Sequence, residues 1–258
     1  MSRFSEAFAI NVNVIRALIL RESRMAFGSS HWGYLWAIMQ PAVTLTFLIV
    51  VFVLIGRGAP FGESLPLFFA TSILCLEFFS KTSTSLMRAF SSNAALFAYP
   101  PVKKADALLA RFLLVASVHT LVWAAFYTGL VLTGYAMVPH RPEYVMGAFI
   151  IIGLIGYSIG MINAVIFSVF SSWQHFEKLY GRPLFFLSGT FYVPSMLPPE
   201  AVRFLEWNPI LHAVELCRMG FYGNYHSEVF SASFVIETIL ILVTSAMFIE
   251  RFSRKKRK

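Results

Sequence analysis

Two carboxylates in this 258-residue chain, Glu77 and Glu237, sit inside long apolar runs. A charged group held in hydrocarbon costs several kcal/mol, so both are candidates for function before other residues are considered. Lys81 follows Glu77 by one helical turn, and an i,i+4 pair at a membrane interface accounts for Glu77 without a further role. Glu237 lies about eight residues into the last apolar run, about 12 Å along a helix, with no cation within a turn. It either packs as a neutral acid or faces a polar path, and proton coupling would need more than one such group. Other chemistries lack their residues. Of six histidines, only His119 falls in an apolar run, and the sole aspartate, Asp106, lies in a polar loop. Intramembrane metalloprotease and aspartyl-protease chemistry are thereby unsupported, and no metal site is expected. No glycine precedes a lysine, so no Gly-x-x-x-x-Gly-Lys-Ser/Thr loop cradles a nucleotide, and no cofactor is expected in this chain. Cys75 and Cys217 are far apart and define neither a disulfide framework nor a zinc site.

The composition says what must surround these residues. Hydrophobic types make up 57% of the chain, charged types 13%, and the mean hydropathy is +0.68, too apolar for one soluble core. Lipid is the solvent. The net charge of +8 fits anionic headgroups at a cytoplasmic face better than nucleic acid, which is not expected as a partner. No early apolar stretch ends in a small-residue cleavage site, so the first span also serves as the membrane address.

Apolar runs at 31–56, 64–80, 112–138, 144–170 and 229–249 are each read as a membrane span. The stretch PLFFLSGTFYVPSMLPP is less clear, because Pro194 interrupts a helix from 182 to 194 that is only about 18 Å long. Lysine and arginine decide the parity. With six crossings, 17 of the 21 cations lie inside, and only Arg57, Arg141, Arg203 and Arg218 lie outside. Both termini are then cytoplasmic, the basic tail 251–258 included. Residues 195–228 read as a re-entrant outer hairpin with two short helical patterns split at Asn208-Pro209, or else as an ordinary outer loop. Phe8, Val12, Ile15 and Ile19 share one helical face opposite Asn13, Arg21 and Arg24, which makes 1–30 an interfacial helix or a solvated one. Gly156, Gly160, Ala164 and Ser168 recur every four residues, a narrow face for close helix packing. The expected fold is all-α integral membrane: an amino-terminal interfacial helix, six transmembrane helices over 31–258, and the outer hairpin between helices five and six.

The segment SRMAFGSSHWGYLWAIMQP, with Ser30, Gly33, Trp36 and Pro41, resembles the entry signature of ABC permeases that export polysaccharides. The loop SSNAALFAYPPVKKADALLARFL resembles the cytoplasmic coupling segment of that family. SGTFYVPSMLPPEAVRFLEWNPILHAVELCRMGFYG resembles its outer re-entrant region, with Asn208, Pro209 and Arg218 at the matching positions. These matches cover nearly the whole chain and are most like the capsular-polysaccharide exporters of Gram-negative bacteria. The resemblance implies an inner-membrane homodimer with two separate ATPase subunits that bind ATP and magnesium. It also implies a lipid-linked acidic polysaccharide as cargo, a periplasmic adaptor or copolymerase, and an outer-membrane channel. Cargoes such as O-antigen, teichoic acid or a drug fit the same architecture, and an ion-coupled carrier is the rival class. Within the loop 81–111, Ala95, Leu96, Phe97 and Tyr99 form an apolar knob suited to a groove on the ATPase. Arg21, Arg24, Lys103, Lys104 and Arg111 are placed to steer an anionic lipid head or glycan, or to anchor at headgroups. Trp32, Tyr34 and Trp36 suit sugar stacking at the mouth of the first span, and Phe191, Tyr192 and Trp207 near the outer gate, where Pro194 also lies.

Overall fold

The computed structural model describes residues 3–27, 32–99 and 102–255. Among them every regular element is helical: α1 (Arg3–Phe27), α2 (Trp32–Leu54), α3 (Leu65–Met87), α4 (Ala89–Ser92), α5 (Lys104–Leu132), α6 (Pro142–Val169), α7 (Trp173–Leu187), α8 (Pro199–Leu205), α9 (Pro209–Phe221) and α10 (Ala232–Lys255). Short 3₁₀ turns cover Ala94–Ala98 and Pro194–Met196. Four helices, α3, α5, α6 and α10, are long and apolar enough to cross a membrane, and α2 carries a shorter apolar stretch, Ile38–Leu54.

Local signals set the boundaries. Ser64 caps α3 by accepting from the Leu67 N–H, with Pro66 in the first turn where its missing N–H costs nothing. The Asp106 carboxylate accepts from the Lys103 N–H and closes the start of α5. Asn208 caps α9 by accepting from the Ile210 N–H at 3.0 Å, and Pro209 supplies the first-turn geometry. The helix expected from 182 to 194 instead runs Trp173–Leu187, about 22 Å, with Pro183 inside it. It stops before Gly189, whose φ of +75° the helix cannot accommodate, and Pro194 opens the following 3₁₀ turn.

α3 is the axis of the bundle. It runs beside α6 in the same direction and antiparallel to α5. The stripe on α6 does what its spacing suggests: a Cβ on Gly160 would sit 2.8 Å from Leu86 Cβ, and one on Gly156 would lie 3.1 Å from Thr82 Cβ. Small residues there let the two backbones approach. Around this seam Phe68, Phe69, Phe78, Ile152 and Ile155 form the buried core. The smaller cluster of Leu86, Leu108, Ala164 and Ala246 fastens α10 to α6. Cys75 on α3 and Cys217 on α9, remote in sequence, share the core as free thiols, and the Tyr127 hydroxyl lies 3.4 Å from Cys217 Sγ.

The bundle therefore has two ends. The start of α2, the end of α3, α4 and the start of α5 meet at one, here the loop end. The end of α2, the start of α3 and α8–α9 meet at the other, the hairpin end.

Candidate functional site

At the loop end, α1 is held against the α4–α5 connection by charge. The Glu22 carboxylate, nearly enclosed, forms an ion pair with Arg111 on α5 and accepts from Arg111 Nε at 3.0 Å. Arg111 Nη1 donates to the Ser85 carbonyl at 3.0 Å and Nη2 to Ser92 Oγ at 2.8 Å. Buried Asn93 donates to Glu22 Oε1 at 2.7 Å and to the Ala89 carbonyl, and its own Oδ1 accepts from Arg21. Arg21 also donates to the Ser92 carbonyl at 3.1 Å. Four elements meet in this network, and nearly all of its bonds cross between segments far apart in sequence.

The face of Val12, Ile15 and Ile19 on α1 turns toward the bundle together with Leu18 and Glu22, and Asn13 and Arg24 face outward as their spacing implies, whereas Arg21, expected beside them, is half-buried and bonded to Asn93 and Ser92. The Phe8 side chain lies outside the described residues. In the connecting segment, Leu96 and Phe97 are half-buried, and Phe97 meets Phe90 edge to face at 6.3 Å. Ala95 is exposed, and Tyr99, at 64% exposure, is the knob's outermost ring. Lys104 lies 5.2 Å from the centre of the Phe90 ring, and Lys103 is exposed.

At the hairpin end a second ion pair is fully enclosed. Glu215 and Arg218 of α9, one turn apart, have no exposed side-chain surface and approach to 3.2 Å. Arg218 donates to the Tyr192 and Gly189 carbonyls at 3.2 and 2.5 Å and lies 4.1 Å over the Phe68 ring. Glu215 accepts from Tyr225 at 2.8 and 2.9 Å and from Ser227 at 2.7 Å. Burial, and then the neighbouring carboxylate, push the Tyr225 phenol up, so it stays a donor. His212 accepts from the Ser231 N–H through Nδ1, which leaves the Nε2 proton to donate to the Glu206 carbonyl at 2.8 Å. That tautomer is neutral. A Cβ on Gly189 would press to 2.9 Å from Leu211 and 3.3 Å from Arg218 Nη1, so this turn requires glycine for both space and φ. Asn208 Nδ2 adds bonds to the Leu187 carbonyl and Ser188 Oγ, both 3.1 Å.

The family model for the ABC-2 type transporter matches residues 13–222, from α1 through α9. The chain belongs to the ABC-2 type transporter family. It is similar to the polysialic acid transport protein KpsM of Escherichia coli, 30% identical over 239 residues that cover 91% of each chain. It is also similar to the capsule polysaccharide export inner-membrane protein BexB of Haemophilus influenzae, 26% identical over 97% of this chain and 95% of that one. The capsule polysaccharide export inner-membrane protein CtrC of Neisseria meningitidis serogroup B is 28% identical over 86% and 83% of the two chains.

The site residues of this ABC-2 transporter separate into groups. Arg21 and Arg111 meet at the loop end, where both are engaged by protein partners. Trp36 is 71% exposed on α2, and the side chains of Trp32 and Tyr34, like Ser30, lie outside the described residues. Glu237 is exposed on α10. Tyr192, Asn208, Pro209 and Arg218 come together at the hairpin end, with Pro194 buried near them. Phe191 stacks within an aromatic group with Phe52, Phe185 and Phe186. Trp207 stands apart, 77% exposed and edge-on to Phe234. Sequence reasoning missed Glu22, Asn93, Glu215 and Tyr225. Two carried a readable signal: Glu22 is the lone acid between Arg21 and Arg24, and Glu215 precedes Arg218 by one turn in an apolar helix.

Proposed function

We propose that this chain is the transmembrane permease subunit of an ATP-driven exporter that moves lipid-linked capsular polysaccharide across the inner membrane. The observation that carries the reading is the family match over 13–222, joined to relatives aligned along most of the chain whose names specify capsule polysaccharide export or polysialic acid transport. In this reading α2, α3, α5, α6, α7 and α10 make six crossings with both termini in the cytoplasm, in keeping with the distribution of lysine and arginine. The α8–α9 hairpin dips into the outer leaflet. The working unit is a homodimer with two ATPase subunits that hold ATP and magnesium, a periplasmic adaptor, and an outer-membrane channel. Exposed apolar faces on α2 and α10, including Phe47, Val53, Ile236 and Leu240, are available to lipid or to the second copy.

Power enters at the loop end. The ATPase grips the segment 88–103 through Tyr99 and Ala95, and the Glu22–Arg111–Asn93 network carries α1 along with that segment. The enclosed pair at the hairpin end keeps α9 and the 189–192 turn as one body, so the outer gate moves as a unit. The exposed position of Glu237 gives no support to ion coupling through that residue.

The test is purification of the tagged chain from native membranes, followed by reconstitution with the ATPase that accompanies it. ATP-dependent export of the lipid-linked glycan, absent without the ATPase, is the expected result. Export by this chain alone, driven by an ion gradient, would reject the reading.

A further inference from the structure

A cavity of about 570 Å³ opens between α2, α3 and α7, and its wall changes character along the bundle axis. Toward the middle of the bundle it is lined by Ile73 and Leu76 of α3 and by Leu184 and Phe185 of α7. Toward the loop end the same helices present Lys81, Lys178 and Arg182. Because α3 runs toward the loop end and α7 away from it, both sequences place apolar residues deep and cations shallow.

Lys81 donates to a neutral acceptor, Gln40 Oε1, at 2.8 Å, and among the described residues Lys81, Lys178 and Arg182 form no ion pair. Two carboxylates also line the cavity. Glu177 is occupied by the Thr84 hydroxyl at 2.7 Å, and Glu77 lies one turn deeper than Lys81 on the same helix. Three cations against two acids leave a formal excess of one positive charge, and the deeper seat of Glu77 leaves that excess at the shallow rim.

We propose that this cavity binds an anionic amphiphile, its phosphate held by Lys81, Lys178 and Arg182 and its chains laid against Ile73, Leu76, Leu184 and Phe185. The volume lies within the usual range of small-molecule sites, enough for a headgroup and the first part of a chain. Phosphate near a low-dielectric wall gains from several cations at once, and Arg182 supplies a planar fork for its oxygens. The assignment deepens the permease reading, because a lipid-linked cargo would present such a head at this end.

The experiment uses the full chain in complex with its ATPase, in phosphatidylcholine nanodiscs, titrated with dioctanoyl phosphatidic acid and with dioctanoyl phosphatidylcholine. Retention by native mass spectrometry should favour the anionic lipid by about tenfold, the size of one charge-assisted contact. The double variant Lys178→Gln/Arg182→Gln should lose that preference, and Arg203→Gln on α8 should keep it. Lys81→Gln, measured alone, gives the same reading if the double variant does not assemble. Equal retention of the two lipids by the unmodified complex, or an unchanged preference in the variants, overturns the site. Glycerol 3-phosphate that competes as well as the lipid overturns it too, because the apolar wall would then contribute nothing. Loss of preference in the variants of a complex that exports no glycan would keep the site and reject the cargo. Export by a complex without the preference would do the reverse.

Discussion

The two ends of the bundle each hold a buried glutamate–arginine pair, and the pairs are built in opposite ways. Glu215 and Arg218 are neighbours on one helix, have no surface exposure, and are completed by the turn before α8 and the loop after α9. Glu22 and Arg111 come from helices far apart in sequence, retain a little exposure, and share their bonds with Ser92 and Asn93 in the α4–α5 connection. A pair enclosed within one element fixes that element. A pair shared among four elements ties α1, α3, α4 and α5 to one another. In the proposed mechanism, the hairpin end is the rigid body and the loop end the joint.

Removing the enclosed cation breaks this contrast most severely. Arg218→Leu leaves Glu215 buried opposite an apolar side chain and should cost about 3–5 kcal/mol, seen as early melting in detergent and poor recovery from membranes. Glu215→Gln leaves Arg218 the unpaired charge but should cost less, because Arg218 keeps the Gly189 and Tyr192 carbonyls and the Phe68 ring, and one amide oxygen can still accept from Tyr225 and Ser227. At the joint, Glu22→Ala should cost about 1.5–3 kcal/mol, the worth of hydrogen bonds to a charged group. Its larger consequence should be functional: stimulation of the ATPase by the permease falls while the complex still assembles. Combining Glu22→Ala with Arg111→Met should recover part of the lost stability, since no charge is then left unpaired. Equal melting of single and double variants would remove the ion pair from the account.

Smaller effects sharpen the comparison. Tyr99→Asp, on the exposed ring of the connection, should change stability by about 0.5 kcal/mol or less and weaken association with the ATPase in pull-down assays. Phe97→Asp is a poorer probe, because Phe97 packs against Phe90 and its replacement disturbs the fold as well as the surface. Glu237→Gln should leave ATP-driven export unchanged in vesicles. Lost export in that variant would bring ion coupling back.

Much of the fold was legible because periodicity in an apolar chain has few meanings. The face of Val12 and Ile15 on α1 and the small residues at Gly156 and Gly160 on α6 were readable from spacing alone, since each is a local property of one helix. The limits of α7 were not. A run of apolar residues suggested a helix up to Pro194, but the chain turns at Gly189, where close approach of Leu211 and Arg218 from a later helix decides the matter. The site residues divide along the same line. Asn208 and Arg218 were recognisable from their motif, and Arg21 and Arg111 from their charge. That Arg111 would be satisfied by Glu22, and that Asn93 would link both to the connection, depends on tertiary contacts with no local signature.

Hydrogen exchange of the assembled permease–ATPase complex in nanodiscs, followed by mass spectrometry with and without a non-hydrolysable ATP analogue, tests the contrast most directly. Exchange should change in α1 and residues 88–103, while residues 189–231 keep the same protection in both states. Changes confined to 189–231, with α1 and 88–103 unaltered, would contradict that contrast.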